Sequence, residues 1–193
     1  MVKIYTRKGD DGTTGLLYGG RVPKHSAAIG VNGDVDEAQA MLGLARAEAE
    51  TGSELDDLLL DLERDLWVLM AEVATAPKNR AKLTAGASLV TPEMVTALEV
   101  RIDTLNERFE MPTEFVVPGG NRVSAALDVA RTVVRRAERG FTAAPPVPGS
   151  NVGPYLNRLS DLLWTMARWQ EQGESLLSRS ATGPKGGVKE AGE

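Results

Sequence analysis

The chain has 193 residues, 42% of them apolar, which is enough for one globular domain with a sizeable core. Its 22 lysines and arginines against 27 aspartates and glutamates give a net charge of −5, which does not favour binding to nucleic acid or to an anionic membrane. The lack of cysteine excludes disulfides and thiolate metal sites, and the single histidine, His25, excludes a histidine metal cage. We also expect no Ser-His-Asp triad. The sequence shows no secretory signal and no apolar stretch long enough to cross a membrane, so we expect a cytoplasmic protein.

The chain divides into three parts by composition. Residues 1–25 are rich in glycine, hydroxyl and charged side chains, which predicts a flexible leader with one short extended piece at residues 3–6. Helical patterning fills residues 26–172, the predicted folded domain. Residues 173–193 are Gly-rich and weakly apolar, and they predict a disordered tail.

Apolar spacing predicts helices throughout the central part. Thr91-Pro92 is a good helix start, with a hydroxyl cap followed by proline at the first helical position. Connections are short and no βαβ alternation is found, so the expected fold is all-α, a five-helix bundle. The predicted helices run from about residue 26 to 50, 55 to 76, 91 to 108, 121 to 141 and 154 to 172.

The fourth helix carries charged residues beside its apolar stripe. Arg131, Arg135 and Glu138 fall close together on the shoulder of that stripe. This pattern is typical of a solvated face with Arg–Glu pairs, but arginine forks also suit phosphates and fixed carboxylates. Asp36 and Glu37 in the first helix either complement the helix dipole or pair with these arginines. The apolar stripe consists of Val123, Leu127, Ala130, Val134, Ala137 and Phe141.

The fifth helix has two different faces. One face is apolar, and the other carries Asn157, Asp161, Trp164 and Arg168. The polar face with its tryptophan is compatible with solvent exposure, with a subunit contact or with one wall of a site.

The leader combines cations, hydroxyls and a Gly-Asp-Asp-Gly turn. Thr6, Arg7 and Lys8 precede that turn, and flexible backbone amides with cations suit a polyphosphate. The leader matches neither a Walker A loop nor a dinucleotide fingerprint, and a flexible terminus without function would also explain it. His25 is interpreted as a loop residue without function.

Three separated segments together resemble one known family. IYTRKGDDGTTGL, GDVDEAQAMLG and FVVPGG…AALDVARTVVRRAER followed by YLNRLSDLLWTMAR are similar to the PduO-type ATP:cob(I)alamin adenosyltransferases, over about residues 3 to 170. The resemblance implies a ferritin-like five-helix bundle that assembles as a homotrimer with active sites between subunits. It also implies that the 5′-deoxyadenosyl group of ATP is transferred to the cobalt of cob(I)alamin, giving adenosylcobalamin and triphosphate.

The resemblance gives roles to individual residues. Arg131 corresponds to an arginine that pairs with an acid of the first helix, here Asp36, across the subunit boundary. Arg135 and Glu138 correspond to residues that hold the nucleotide, with Arg135 on phosphate oxygens, and Asn157 to a nucleotide contact on the fifth helix. The segment that wraps the triphosphate corresponds to Thr6, Arg7, Lys8, Gly9, Asp10 and Gly12.

Phe115 corresponds to an aromatic residue that crowds the lower face of the corrin ring. The implied small molecules are ATP, Mg²⁺ bound through the phosphates rather than by a protein metal site, and cobalamin, with an adenosylcobalamin-dependent mutase as a possible recipient of the product. The acid motif departs from the family pattern around Asp36-Glu37, and Lys8 replaces a smaller residue. Two alternatives stay open: a nucleotide- or corrinoid-binding chaperone or sensor without efficient turnover, and a helical scaffold without enzymatic activity.

Overall fold

The computed structural model describes residues 4–179. Within this range it contains five α-helices, as predicted, and also a short 3₁₀ helix and a two-stranded antiparallel hairpin, neither of which was predicted. The hairpin strands are β1 (Thr13–Gly15) and β2 (Arg21–Pro23), and the 3₁₀ helix is Pro77–Lys82. The helices are α1 (Ala27–Glu48), α2 (Glu54–Val73), α3 (Pro92–Asn106), α4 (Arg122–Ala143) and α5 (Val152–Glu171).

Side-chain caps fix the starts of three helices. The side chains of Ser53 and Thr91 accept hydrogen bonds from the backbone amides of the third helical residues of α2 and α3. Asn121 and Ser124 form a reciprocal capping box at the start of α4. The caps satisfy backbone donors that would otherwise be left unpaired, which is why these helices begin within a few residues of the predicted positions.

The apolar faces of the five helices pack together in four helix–helix contacts and form the core. α1 packs against α2 and α4, α4 packs against α5, and α5 packs against α3. The predicted stripe of α4 is confirmed, with four residues fully buried and Val123 and Phe141 partly buried. α5 is buried along most of its length, so it contributes more of the core than a one-sided helix would.

A buried carboxylate forms hydrogen bonds with three connections at one end of the bundle. Glu72, near the end of α2, accepts hydrogen bonds from Arg80 at 2.8 Å, the Val90 amide at 2.8 Å and the Ser150 hydroxyl at 2.6 Å. These donors belong to the 3₁₀ helix, the segment before α3 and the segment before α5. A paired carboxylate therefore joins three connections beside the buried apolar residues Val90 and Val152.

The leader differs from its predicted form. Residues 4–6 form no strand, and residue 3 lies outside the described range, whereas the observed strands lie further along the chain. Each strand has only three residues, too few to show the alternation that identifies a strand in a sequence. The hairpin docks on the bundle through the Leu17 amide, which donates to the Ala74 carbonyl oxygen at 2.9 Å.

Part of the segment predicted as a disordered tail lies along the connector between α3 and α4. The Val117 amide donates to the Leu176 carbonyl oxygen at 2.8 Å, and the Ser178 amide donates to the Phe115 carbonyl oxygen at 2.7 Å. Val116 and Leu177 form an antiparallel bridge. Residues 180–193 lie outside the described range. Among residues 4–179, no helix is both long and apolar enough to span a bilayer.

A tyrosine–carboxylate pair links α5 to α2. The Tyr155 hydroxyl, fully buried, donates to Asp65 Oδ2 at 2.8 Å. Burial raises the pKa of Asp65 above its usual value, although the hydrogen bond from Tyr155 acts in the opposite direction. Burial, together with the nearby Asp65 charge, also raises the pKa of the Tyr155 phenol. The folded protein therefore holds the Asp65 proton more strongly than the unfolded chain does.

This pair predicts a pH effect on stability. Because the pKa of Asp65 is higher in the folded state, its contribution to the free energy of unfolding is fully present below the unfolded pKa and is lost as the pH rises through the folded pKa. Asp65→Asn keeps an acceptor for Tyr155 and removes the desolvated charge. We expect the variant to be at least as stable as the wild type at pH 7, with its advantage shrinking as the pH falls towards 4.

The measurement is urea denaturation across this pH range at one fixed protein concentration. Asp103→Asn, which removes an exposed acid of α3, is the control. Parallel pH profiles of Asp65→Asn and wild type would contradict the interpretation.

Candidate functional site

Predicted site residues of α4 and α5 lie together on adjoining helix faces. The Asn157 side-chain amide donates to Glu138 Oε1 at 2.8 Å, and Asn157 Oδ1 accepts from Arg158. Arg135 lies one turn before Glu138 and is exposed. Within residues 4–179 no hydrogen bond or ion pair of Arg135 is found, so its guanidinium is free for an anion.

Acids of α1 pair with α4 through Arg136, whereas the expected partners were Arg131 and Arg135. Arg136 donates to Asp34 Oδ1 at 3.1 Å and also to Glu37. Asp34 and Glu37 are three positions apart and share the side of α1 that faces α4, whereas Asp36 points away and is exposed. Asp36 therefore makes no ion pair with an α4 arginine of its own chain among the described residues.

Arg131 is held by a carboxylate of its own helix. Its Nε donates to Asp128 Oδ1 at 3.0 Å, and Asp128 Oδ2 accepts from Arg168 at 2.7 Å. Arg168, predicted on the polar face of α5, is only 2% exposed and helps to line a cavity. This agrees with the predicted alternative of a site wall and excludes solvent exposure for Arg168. The connector and the segment after α5 cover this part of α5, which the pattern of α5 alone cannot show.

Phe115 and Arg131 meet at one cavity, although they lie on different elements. The cavity has a volume of about 630 Å³ and opens to the surface. Phe115 is 87% exposed, and the indole of Trp164 and the guanidinium of Arg168 contribute to the cavity wall. The cavity is lined by Pro112, Thr113, Glu114, Phe115, Val116, Pro118, Asp128, Arg131, Trp164, Arg168, Ser178 and Arg179.

The predicted leader residues lie in and before a turn that is closed by the hairpin. Arg21 donates to the Thr13 hydroxyl at 2.9 Å and to the Lys8 carbonyl oxygen, and it pairs with Asp11 at 3.5 Å. Hydrogen bonds from the Thr13 hydroxyl and amide lower the pKa of Asp11, which keeps this acid charged. Residues 6–8, 10 and 12 are exposed and Gly9 is partly buried, so most of this segment is accessible to a ligand.

The structure adds two cations of the leader that the sequence motifs do not single out. Arg21 and Lys24 lie on and just after β2, and the Lys24 side chain passes so close to Gly9 that an added Cβ would lie 3.1 Å from Nζ. Both follow the Gly19-Gly20 turn. A hairpin at this turn would bring them close to Arg7 and Lys8, and this is the feature of the sequence that could have identified them.

A protein metal centre is not found in the described part of the chain. Residues 4–179 contain no group of three or more His, Asp or Glu side chains placed to hold a metal ion. The cations of the leader and of α4 are instead suited to hold anions.

Comparison with known proteins identifies the family. Residues 4–170 match the family model for cobalamin adenosyltransferase. The chain belongs to this family. It is 37% identical to a corrinoid adenosyltransferase of Mycobacterium leprae over 184 residues, covering 93% of this chain and 96% of the relative. It is 39% identical to a corrinoid adenosyltransferase of Citrobacter freundii over 173 residues, covering 89% and 96%.

Solved structures of the family have the same fold. A variant of the PduO-type ATP:corrinoid adenosyltransferase from Lactobacillus reuteri, complexed with cobalamin and ATP, aligns with a TM-score of 0.80 at 26% identity, over 92% of this chain and 97% of that one. Another variant of the same enzyme, complexed with ATP, aligns with a TM-score of 0.79 at 26% identity, over 91% and 100%. The resemblance expected from the sequence is confirmed at the level of family and fold.

Proposed function

We propose that this cobalamin adenosyltransferase transfers the 5′-deoxyadenosyl group of ATP to the cobalt of cob(I)alamin and releases triphosphate. The observation that supports the acceptor most directly is the shared cavity of Phe115 and Arg131, two residues that the family resemblance assigns to the corrinoid and subunit side of the site. The exposed Arg135 and the Glu138–Asn157 pair support nucleotide binding. Because ATP is the donor, we place the reaction in the cytoplasm.

The reaction needs no general base, and the protein's task is to position the two substrates. The electron pair of cob(I)alamin attacks C5′ of the ribose, the cobalt–carbon bond forms, and the C5′–O bond breaks with its electron pair going to the triphosphate. The protein must hold C5′ in line with cobalt and stabilise the negative charge that grows on the leaving group. A site without cysteine and with its histidine outside the described cavity suits this reaction.

Arg135 and the leader cations are the groups we assign to the leaving triphosphate. Arg135 is exposed and without an acid partner in the described chain, so its charge is not already neutralised. Lys8 and Lys24 add charge from the leader. The turn adds the backbone amides of Gly9 and Asp11, since the amides of Asp10 and Gly12 already donate to carbonyl oxygens of the leader. We propose that Mg²⁺ is bound through the phosphates of ATP, as the family resemblance implies.

We assign Phe115 to the lower face of the corrin ring. Phe115 is 87% exposed at the cavity edge, where an aromatic side chain would occupy the space of the lower axial ligand of cobalt. Removal of that ligand makes the cobalt easier to reduce, which assists the step from cob(II)alamin to cob(I)alamin.

We propose a homotrimer with active sites between subunits, in which Asp36 of one subunit pairs with Arg131 of the next. Asp36 is exposed on α1 and unused by the α4 arginines of its own chain, which leaves it available to a neighbour. Leu44 on α1 and Val129 on α4 are exposed apolar residues and would be covered by such an assembly. A mutase that uses adenosylcobalamin is the proposed recipient of the product.

An anaerobic absorbance time course tests the proposed function. Protein, ATP, Mg²⁺ and chemically reduced cobalamin are mixed, and triphosphate is measured at the end. We expect adenosylcobalamin to form together with an equal amount of triphosphate. Binding of ATP or cobalamin without triphosphate release would instead indicate a chaperone or sensor, and a failure to bind ATP would indicate a scaffold.

Loss of Arg135 or Asn157 should abolish most of the turnover without unfolding the protein. We expect Arg135→Ala to lower kcat by about 100- to 1000-fold, the range for removal of one charge-stabilising donor. Asn157→Ala should weaken ATP binding, because Glu138 loses its partner. The helical circular dichroism of both variants should match the wild type, and Arg64→Ala, an exposed arginine of α2, is the control. Turnover at the wild-type rate in both variants would remove these residues from the site.

The role of Phe115 predicts a difference between two forms of the acceptor. Phe115→Ala should slow adenosylation that starts from cob(II)alamin and a reductant more than adenosylation of cob(I)alamin prepared beforehand. The reason is that only the first reaction depends on displacement of the lower axial ligand. Rates are read from the visible absorbance of adenosylcobalamin, and equal losses with the two forms would contradict the assignment.

A further inference from the structure

Two arginines and two carboxylates form a cluster at the wall of the cavity, in which Arg168, Asp128 and Glu171 are buried and Arg131 is partly exposed. Arg168 is 2% exposed, and its Nη2 donates to Asp128 Oδ2 at 2.7 Å and to Glu171 Oε1 at 3.1 Å. Its Nε lies 3.1 Å from Glu171 Oε2, in ion-pair contact without hydrogen-bond geometry. The indole ring of Trp164 lies 5.7 Å from the guanidinium carbon and covers it.

Burial makes this cluster a poor source of stability. Removing charged groups from water carries a large free-energy penalty, and apolar residues of similar size often replace a buried ion pair without loss of stability. Asp128 and Glu171 are 6% and 1% exposed in their side chains. A cluster at this place therefore calls for a role other than stabilisation, and its connections indicate one.

One branch of the cluster orients Arg131. Asp128 accepts from Arg168 with one oxygen and from Arg131 Nε with the other. Within residues 4–179 no other hydrogen bond of Arg131 is found, so its terminal nitrogens stay available while its Nε is fixed. Arg168 in turn fixes Asp128, because a planar guanidinium bound at two carboxylates has little rotational freedom.

The other branch supports the segment that carries Phe115. Glu171 accepts from the Ser175 hydroxyl and packs so closely on Gly120 that an added Cβ would lie 2.9 Å from its side chain. Ser175 belongs to the segment that pairs with residues 115–117, where the Ser178 amide donates to the Phe115 carbonyl oxygen. Glu171 thus contacts the connector at one end and the segment paired with it at the other.

We propose that Arg168 is a positioning residue that holds Arg131, through Asp128, and the Phe115 connector, through Glu171, in the arrangement needed for adenosyl transfer. Arg168 acts through these neighbours and need not touch the reacting atoms. The inference rests on the proposed function. It goes beyond that function because it joins the orientation of Arg131 and the placement of Phe115 in one buried group.

Three variants separate the two branches. Asp128→Asn weakens the hold on Arg131, and we expect it to lower kcat with cob(I)alamin while the absorbance of bound cob(II)alamin in the presence of ATP stays as in wild type. Glu171→Gln weakens the support of Phe115, and we expect it to reduce the fraction of bound cob(II)alamin without its lower axial ligand, read from the same absorbance. Arg168→Met should change both, with kcat lowered roughly 10- to 100-fold, the usual loss when an orienting partner is removed.

The dissociation constant of ATP, measured by equilibrium binding, should change less than about twofold in all three variants, a difference too small to explain the loss of kcat. The matched control is Arg101→Met, which removes another inter-helix ion pair, with Asp61 at 3.0 Å, outside the cavity. It should leave kcat, the spectrum and ATP binding unchanged. Equal losses in Arg101→Met would show general destabilisation and overturn the proposal.

The remaining outcomes also test the proposed role of Arg168. A folded Arg168→Met with wild-type kcat and spectrum overturns the positioning role. If Arg168→Met does not fold, the two amide variants decide, and wild-type behaviour in both overturns the proposal. A wild-type protein that forms no adenosylcobalamin overturns the proposed function and this inference together, whereas an active wild type with unaffected variants overturns the inference alone.

Discussion

The antiparallel contact between α4 and α5 is the interaction on which both core and site depend. The apolar stripe of α4 packs on α5, which is buried on most of its surface. The residues beside this stripe are thereby set at fixed positions, with Glu138 against Asn157 at one level and Asp128 against Arg168 at another. Hydrophobic burial supplies the energy of the contact, and the polar pairs beside it fix its register.

Buried carboxylates join connections to the bundle at two places. Glu72 accepts hydrogen bonds from three connections at one end of the bundle. At the other end, Glu171 joins the connector that carries Phe115 to the segment after α5. Such buried carboxylates are costly unless every oxygen is paired, so each ties several segments into one arrangement. The cavity of Phe115 and Arg131 lies beside the second of these carboxylates, which contacts Arg168 in the cavity wall.

Most of the fold could be predicted from the sequence, because apolar periodicity and helix caps are local. The helices end within a few residues of their predicted positions, and the stripe of α4 is buried as expected. The leader hairpin could not be predicted, since its strands are three residues each and depend on docking against α2. The pairing of Arg136 with Asp34 and Glu37 was also missed, because it depends on how α1 and α4 face each other.

The sequence by itself determined the helical class, the family, and the residue types available for chemistry: arginines, lysines, carboxylates and amides without cysteine. Motifs carry this information because they are read along the chain. Only the tertiary structure decided that Arg168 is buried and that Phe115, Arg131 and Trp164 line one cavity. The physical reason is that burial of a helix face depends on what other segments cover it, and here the covering segments are the connector and the residues after α5.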